Sequence, residues 1–392
     1  MRILFIHNFY QQFGGEDSVA NAERRLLEER GEEVLFWTRH NDEIKDYGFL
    51  KKVNFFRETV YSSRTVREIG SAVSGFKPEI AFVHNVYPLI SPSLYSALQS
   101  LRVPVVQVLH DFRPYCSNGW FYIRGQICER CKFGNHLHGI VHRCYRDSYL
   151  MSALYSTALG VNRWAGMLDK VDAYICLTGF FKEKILETGI PEEKIFIRPN
   201  FIDAPPLGAG SNARGSGYGL YLGRLSSEKG IWTLIRAFEQ LPEVDLKIVG
   251  TGPLEAELRE YVQKKNLNHI SLLGFKSGDE KWKLIRDCQF AVVPSEWYEN
   301  FPIVVLEYFA GAKPVIASRI GGLPYVVEEG KTGALFEAGN AADLMNKVRR
   351  LRANPEEAEA MGRRGRQLAE TKYGPQESYD SLMQIFGKVL SG

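Results

Sequence analysis

The sequence predicts an α/β protein built from two doubly wound domains. Three observations lead there: short β-branched runs alternate with amphipathic stretches along most of the chain, the series occurs twice, and a Pro-, Gly- and Ser-rich stretch divides the two series. With 392 residues, the chain fits two domains of roughly 100–200 residues, each large enough to bury a core. In order, RILFIH (2–7), EVLFWT (33–38), IAFVHN (80–85), VVQVLH (105–110), AYICLT (173–178) and IFIRPN (195–200) read as buried parallel strands with helices between most of them. APPLGAGSNARGSG (204–217) excludes regular structure and reads as a connector. The second series is YGLYLGR (218–224), DLKIVG (245–250), HISLLG (269–274), FAVVPS (290–295) and KPVIAS (313–318). SYDSLMQIFGKVL (378–390) has helical spacing. The expected organisation is therefore a first domain over 1–203, the connector, a second domain over 218–374, and a terminal helix within 375–392 that packs back on the first. Ligands of such sheets bind beyond the carboxyl ends of the strands, so the expected site is a cleft between the two domains.

Composition narrows the classes. Hydrophobic residues make up 45% and charged residues 24%, which is ordinary for a globular protein. The 49 basic and 46 acidic side chains leave a net charge of +3, a balance that gives no footprint for nucleic acid, and none is expected as a partner. No window approaches the roughly 18 uninterrupted apolar residues of a membrane span, and the N-terminal LFI run is too short for a signal peptide. A cytoplasmic protein with reduced thiols is the expectation.

The stretch SEWYENFPIVVLEYFAG (295–311) holds two acids in an apolar setting. Pro302 suits the first turn of a helix from about Phe301 to Gly311. Glu299 then falls in the strand-to-helix turn, and Glu307 lies within the helix. Backbone N–H groups near Asn300, Phe301 and Ile303 would form an anion site. An alternative is that Glu299 is a helix-start acid and Glu307 a solvated side chain. YLGRLSSEKG (221–230) places Arg224 at a strand end and Lys229 before a helix, a pairing of planar fork and point charge that suits a pyrophosphate. IVGTGP (248–253) adds a glycine turn at Gly250, open to a ligand or simply a tight connection.

Taken together, FIHNFYQQFGGEDSV, VLHD, RPNFID, YLGRLSSEKG, IVGTGP and ENFPIVVLEYFAGAKPVIAS resemble a retaining glycosyltransferase of family 4, with the GT-B fold of two facing Rossmann-like domains. The resemblance covers nearly the whole chain. It implies transfer of a sugar from a UDP-, GDP- or ADP-sugar to a glycan or lipid-linked acceptor, in polysaccharide or glycolipid synthesis, with the anomeric configuration kept. It also implies that Arg224 and Lys229 hold the donor diphosphate, Glu307 the ribose hydroxyls and Glu299 the transferred sugar. His110 would sit at the reaction centre, and Gly14 and Gly15 in the loop at the phosphates and acceptor side. ENFP, with Pro302, replaces the commoner E-G-F-G, which leaves the sugar open. Other readings are a nucleotide-sugar epimerase of the same fold and a non-catalytic binding protein. Fixed cations and helix N–H groups facing a departing nucleoside diphosphate require no divalent metal, so no catalytic cofactor is expected.

Within the first domain, an excursion over 111–147 carries Cys116, Cys128, Cys131 and Cys144, spaced C-x11-C-x2-C-x12-C, with His136, His138 and His142 between the last two. A structural zinc is one expectation; packing thiols and disulfides are the others. FLKKVNFFRETVYSSRTVR (49–67) mixes aromatic and basic residues with one acid, Glu58. It suits peripheral contact with anionic lipid at the inner membrane face, a glycan groove, or an amphipathic core helix with basic flanks.

Overall fold

The structure, a computed structural model, describes residues 1–11, 14–45, 49–206 and 217–392, apart from the side chains of 49–54. Most of the expected connector, 207–216, lies outside the described residues, as do the side chains of Lys51 and Lys52 in the basic stretch. The chain divides into two compact units. One is Met1–Ile123, Cys128–Arg198 and Tyr379–Gly392; the other is Arg124–Ile127 and Pro199–Ser378.

The first unit is built on six strands: β1 (Arg2–Phe9), β2 (Glu33–His40), β3 (Ile80–Asn85), β4 (Val105–Leu109), β5 (Ala173–Cys176) and β6 (Ile195–Ile197). Their order is β2-β1-β3-β4-β5-β6, all pairs parallel. β3, β4 and β5 are buried throughout, as continuous apolar runs must be when helices cover both faces of a sheet. The terminal helix Pro375–Ser391 returns its last part to this unit. Phe386 meets Phe82 edge-on with ring centres 5.4 Å apart, and the Tyr379 hydroxyl donates to Glu32 Oε1 at 2.5 Å.

The second unit repeats the architecture with β7 (Gly219–Leu222), β8 (Leu246–Val249), β9 (Ile270–Leu272), β10 (Phe290–Val293), β11 (Val315–Ser318) and β12 (Gly333–Phe336), ordered β9-β8-β7-β10-β11-β12. Every pair is again parallel. β12 is absent from the sequence reading: GALF is four residues long and too short to show a period. Pairing with the edge of β11 is what makes it a strand. The order reverses direction between β7 and β10, so the segments leaving these adjacent strands diverge and open a crevice at their carboxyl ends.

Candidate active-site residues

Arg224 and Lys229 follow β7, and Ser295–Ile303 follows β10, so both candidate segments leave the switch point of the second sheet. Hydrogen bonds stitch them together. The Glu296 N–H donates to the Glu228 carbonyl at 2.9 Å, and Thr233 Oγ1 donates to Glu296 Oε1 at 2.6 Å. Gly230, which caps the turn holding Lys229, has φ +67°, and a Cβ there would lie 1.7 Å from the Pro294 carbonyl oxygen. Only glycine accepts both that conformation and that approach.

Lys229 and Glu299 then meet directly, Nζ to Oε1 at 2.7 Å, with Nζ 4.7 Å from the centre of the Trp297 ring. The same Glu299 oxygen accepts from Ser295 Oγ at 2.6 Å and Trp297 Nε1 at 2.9 Å. Burial would push this carboxyl up, but the Lys229 charge and the three hydrogen bonds outweigh it and hold Glu299 below its ordinary value. Arg224 Nη2 stands 3.5 Å from Glu228 Oε1 with its side chain half exposed.

The helix after β10 runs Ile303–Ala310, with Pro302 at its N-cap rather than in its first turn. Proline at the cap removes no helical bond, and of the N–H groups of the first turn that begins at Ile303, that of Val305 donates to the Pro302 carbonyl at 3.0 Å. Glu307 pairs with Lys281 at 2.7 Å instead of joining the Lys229 cluster. Phe301 is a packing residue, its ring 5.6 Å from Tyr373 and its carbonyl accepting from Asn200 Nδ2 at 3.3 Å. Asn300 is buried beside it, and Gly322 donates to the Glu299 carbonyl at 2.6 Å. Added Cβ atoms at Gly321 and Gly322 would meet the Glu299 and Asn300 backbone at 2.7 Å and 2.0 Å. That glycine pair, missed in the sequence reading, braces the acidic turn. Gly250 has a structural reason of its own: with φ +138°, it admits the Gly223 carbonyl, which a Cβ would meet at 1.9 Å.

In the first unit His110 follows β4 and belongs to a buried chain of polar groups. His110 Nε2 lies 2.9 Å from His84 Nδ1, and His84 Nε2 lies 3.0 Å from Glu23 Oε2, a close contact outside good hydrogen-bond geometry. Glu23 Oε1 takes Arg198 Nη1 at 2.5 Å. Glu23 and Arg198 are almost fully buried. Burial raises the Glu23 carboxyl, but Arg198 and His84 overcompensate and bring it down to about 2. Burial, and then the charge of His84, keep His110 well below the usual histidine range, so its imidazole is neutral at pH 7. Gly14 caps the helix Gly15–Glu29, its N–H donating to Asp17 Oδ2 at 3.0 Å. Asp17 Oδ1 in turn holds buried His7 Nε2 at 2.8 Å.

A cavity of about 20 Å³, lined by Glu16, His84, Tyr87, Gln107, His110, Asp111 and Arg113 among others, adjoins this chain. Arg113 pairs with Asp111 at 3.0 Å and covers the Tyr10 ring at 5.0 Å, and the Tyr10 hydroxyl donates to Glu16 Oε2 at 2.5 Å. Burial and the Asp111 charge push Glu16 up to about 8. The folded protein thus keeps a proton that the unfolded chain releases near 4.5. Stability should fall as pH rises from about 4.5 to 8. Glu16→Gln, which cannot ionise, is expected to escape that loss, so its urea midpoint should gain on the parent between pH 5 and pH 8. A gap that stays constant or closes would show that Glu16 is ionised in the fold.

The four cysteines of the excursion are free thiols. Burial pushes Cys131 up to about 12, and the charges of Cys116, Cys144 and Cys128 add to it, so the four occupy one neighbourhood. Among the described residues, no group of three His, Cys, Asp or Glu side chains is placed to hold a metal ion. Cys116 is held in a tight turn, with its N–H on the Phe112 carbonyl and its thiol donating to Asn118 Oδ1 at 3.0 Å, while His136 is buried with neither ring nitrogen hydrogen-bonded. No described helix is long and apolar enough to cross a membrane.

Two family models divide the chain between them: "Glycosyltransferase Family 4" matches residues 13–204, and "Glycosyl transferases group 1" matches 212–368. The chain belongs to glycosyltransferase family 4. An uncharacterised glycosyltransferase of Methanocaldococcus jannaschii is 35% identical over 198 residues, covering 50% of this chain and 54% of that one. The sulfoquinovosyl transferase of Arabidopsis thaliana is 24% identical over 367 residues, covering 88% of this chain and 65% of that one. The chain therefore spans between half and two thirds of the length of these relatives. In fold it resembles the sucrose-phosphate synthase of Thermosynechococcus elongatus, with TM-score 0.73 and 19% identity over 100% of this chain and 99% of the other. It likewise resembles Anabaena HepE, crystallised with UDP and glucose, with TM-score 0.67 and 16% identity over 98% and 99%. These likenesses place the two Rossmann-like units in the GT-B class.

Proposed function

We propose that this glycosyltransferase moves a sugar from a nucleotide-sugar donor to a hydroxyl of a glycan or lipid-linked acceptor, with retention of configuration. The observation that carries the reading is the Lys229–Glu299 pair at the switch point of the second sheet, where a cation and an anion are held ready by two different strand-to-helix segments. Lys229 has N–H groups beyond the one facing Glu299, and together with Arg224 it would meet the diphosphate. The charge that develops on the departing nucleoside diphosphate is stabilised by these cations and by the first turn at Ile303, and no divalent metal is needed. A UDP donor gains support from the UDP bound by HepE. Glu299 Oε1 already accepts three hydrogen bonds, which makes it a poor nucleophile and favours same-face attack assisted by the leaving phosphate over a covalent intermediate. Neutral His110 serves the transferred sugar, and Glu307 would exchange Lys281 for the ribose hydroxyls.

The experiment is a screen of nucleotide sugars for nucleoside diphosphate release, with and without candidate acceptors, followed by assignment of the product anomer by NMR. Release that requires an acceptor, survives EDTA and yields the donor's configuration supports the reading. An inverted product, or a rate restored only by added magnesium or manganese, overturns it. His110→Ala is expected to lower turnover by roughly 10²–10³-fold, as loss of one transition-state hydrogen bond does, while UDP affinity is unchanged. Equal losses in both would move His110 to nucleotide binding.

A further inference from the structure

The segment 130–164 of the first unit leaves large apolar side chains on the outside. Trp164 is 89% exposed, Phe133 70% and Leu150 68%. The helix Tyr149–Trp164 contains one charged residue, Arg163. Its inner face, with Tyr155, Ala158 and Leu159, is buried. Its outer positions Leu150, Thr157, Val161 and Trp164 recur every three to seven residues and form one stripe down the helix. A helix that is apolar on both faces has a partner for the outer one. The short helix Leu137–Val141 packs beside it. A Cβ on Gly139 would lie 2.7 Å from Ser156 Oγ, so Gly139 faces the long helix, while Leu137 and Val141, two positions to either side, turn outward and are exposed.

Charge identifies the partner. Residues 130–164 hold five Lys and Arg against one acid, Asp147, more net charge than the whole chain carries. Lys132 is taken up by Glu129 and Glu187, and Arg163 by the Lys132 and Thr188 carbonyls. Arg143 stands 3.3 Å from the exposed Asp147 and lies 5.5 Å from the centre of the exposed Tyr149 ring, and Arg146 lies 5.7 Å from that of half-buried Tyr145. Arg130 stands 2.7 Å from His142.

We propose that this face docks on the anionic lipid surface of a membrane, with Leu150, Val161 and Trp164 entering the boundary between headgroups and acyl chains and Arg130, Arg143 and Arg146 meeting lipid phosphates. Arginine beside exposed Trp, Tyr and Phe suits that boundary, where one end of each side chain is apolar and the other is wet. A second copy of the chain is a poorer occupant, because a self-complementary interface would set this cationic segment against itself. The surface differs from the aromatic and basic stretch 49–67, for which lipid contact is one of three sequence readings, and the proposal is independent of the donor chemistry.

The test is flotation of the full chain with vesicles of phosphatidylcholine alone and of phosphatidylcholine mixed with phosphatidylglycerol, alongside analytical ultracentrifugation. Binding is expected to the anionic vesicles and to weaken with salt. A Leu150→Ser/Trp164→Ser variant should bind at least about fivefold less, with donor hydrolysis in solution and the urea midpoint unchanged. Should that variant unfold, Arg143→Gln/Arg146→Gln serves the same purpose and should lose the preference for anionic vesicles. Absence of vesicle binding, equal binding to both compositions, variants that float like the parent, or a dimer that Trp164→Ser dissociates would each overturn the proposal.

Discussion

Lys229→Ala is expected to weaken nucleoside diphosphate binding by about 1.5–3 kcal/mol, roughly 10- to 150-fold, the contribution of one charge-assisted hydrogen bond. The geometry adds a consequence that a simple phosphate contact would not have. Lys229 is the largest force opposing the burial of Glu299, so its removal lets the Glu299 carboxyl rise. The acid side of the pH–rate profile should therefore move toward neutral pH, and the variant should lose proportionally more activity at pH 5 than at pH 8. Titration calorimetry with UDP and a pH–rate profile check the two parts. Glu307→Gln should also weaken UDP binding while leaving that profile in place, because Glu307 pairs with Lys281 and not with Lys229. Unchanged UDP affinity in folded Lys229→Ala would remove the diphosphate from this site.

Glu23→Gln should cost about 3–5 kcal/mol of stability, because it leaves the Arg198 guanidinium buried without its counter-charge. Removing both partners, as in Glu23→Met/Arg198→Met, should cost less than removing Glu23 alone, since no bare charge remains. The pH dependence has a definite sign. Glu23 ionises near 2 in the fold and near 4.5 in the unfolded chain, so its stabilisation is complete above about 4.5 and is lost as pH falls toward 2. The parent should weaken through that acid window, and Glu23→Gln should show a flatter slope. Urea unfolding at pH 7 and at acid pH measures both effects; a Glu23→Gln midpoint matching the parent's at pH 7 would mean that the network carries no net energy. Because Glu23 reaches His110 through His84, the same variant also tests whether His110 depends on this chain of contacts.

The sequence by itself determined the features that depend on near neighbours. Eleven of the twelve strands of the two parallel sheets were legible because buried strands are short runs of Val, Ile, Leu and Phe bounded by turn residues. Arg224, Lys229 and Glu299 were legible as candidates because each lies a few residues beyond a strand end. Tertiary structure decided what they touch. The Lys229–Glu299 pair joins residues 70 apart, and the Glu23–Arg198 pair joins residues 175 apart; no spacing along a chain encodes such a partner, which is fixed by which strands become neighbours. The same limit explains the cysteines. Their spacing is compatible with four ligands, and it is the turn at Phe112–Gly119 that sets where the Cys116 thiol points. It also explains the outer face of the helix Tyr149–Trp164: a run apolar all round reads as core, and only the packed fold shows that one side of it was left uncovered.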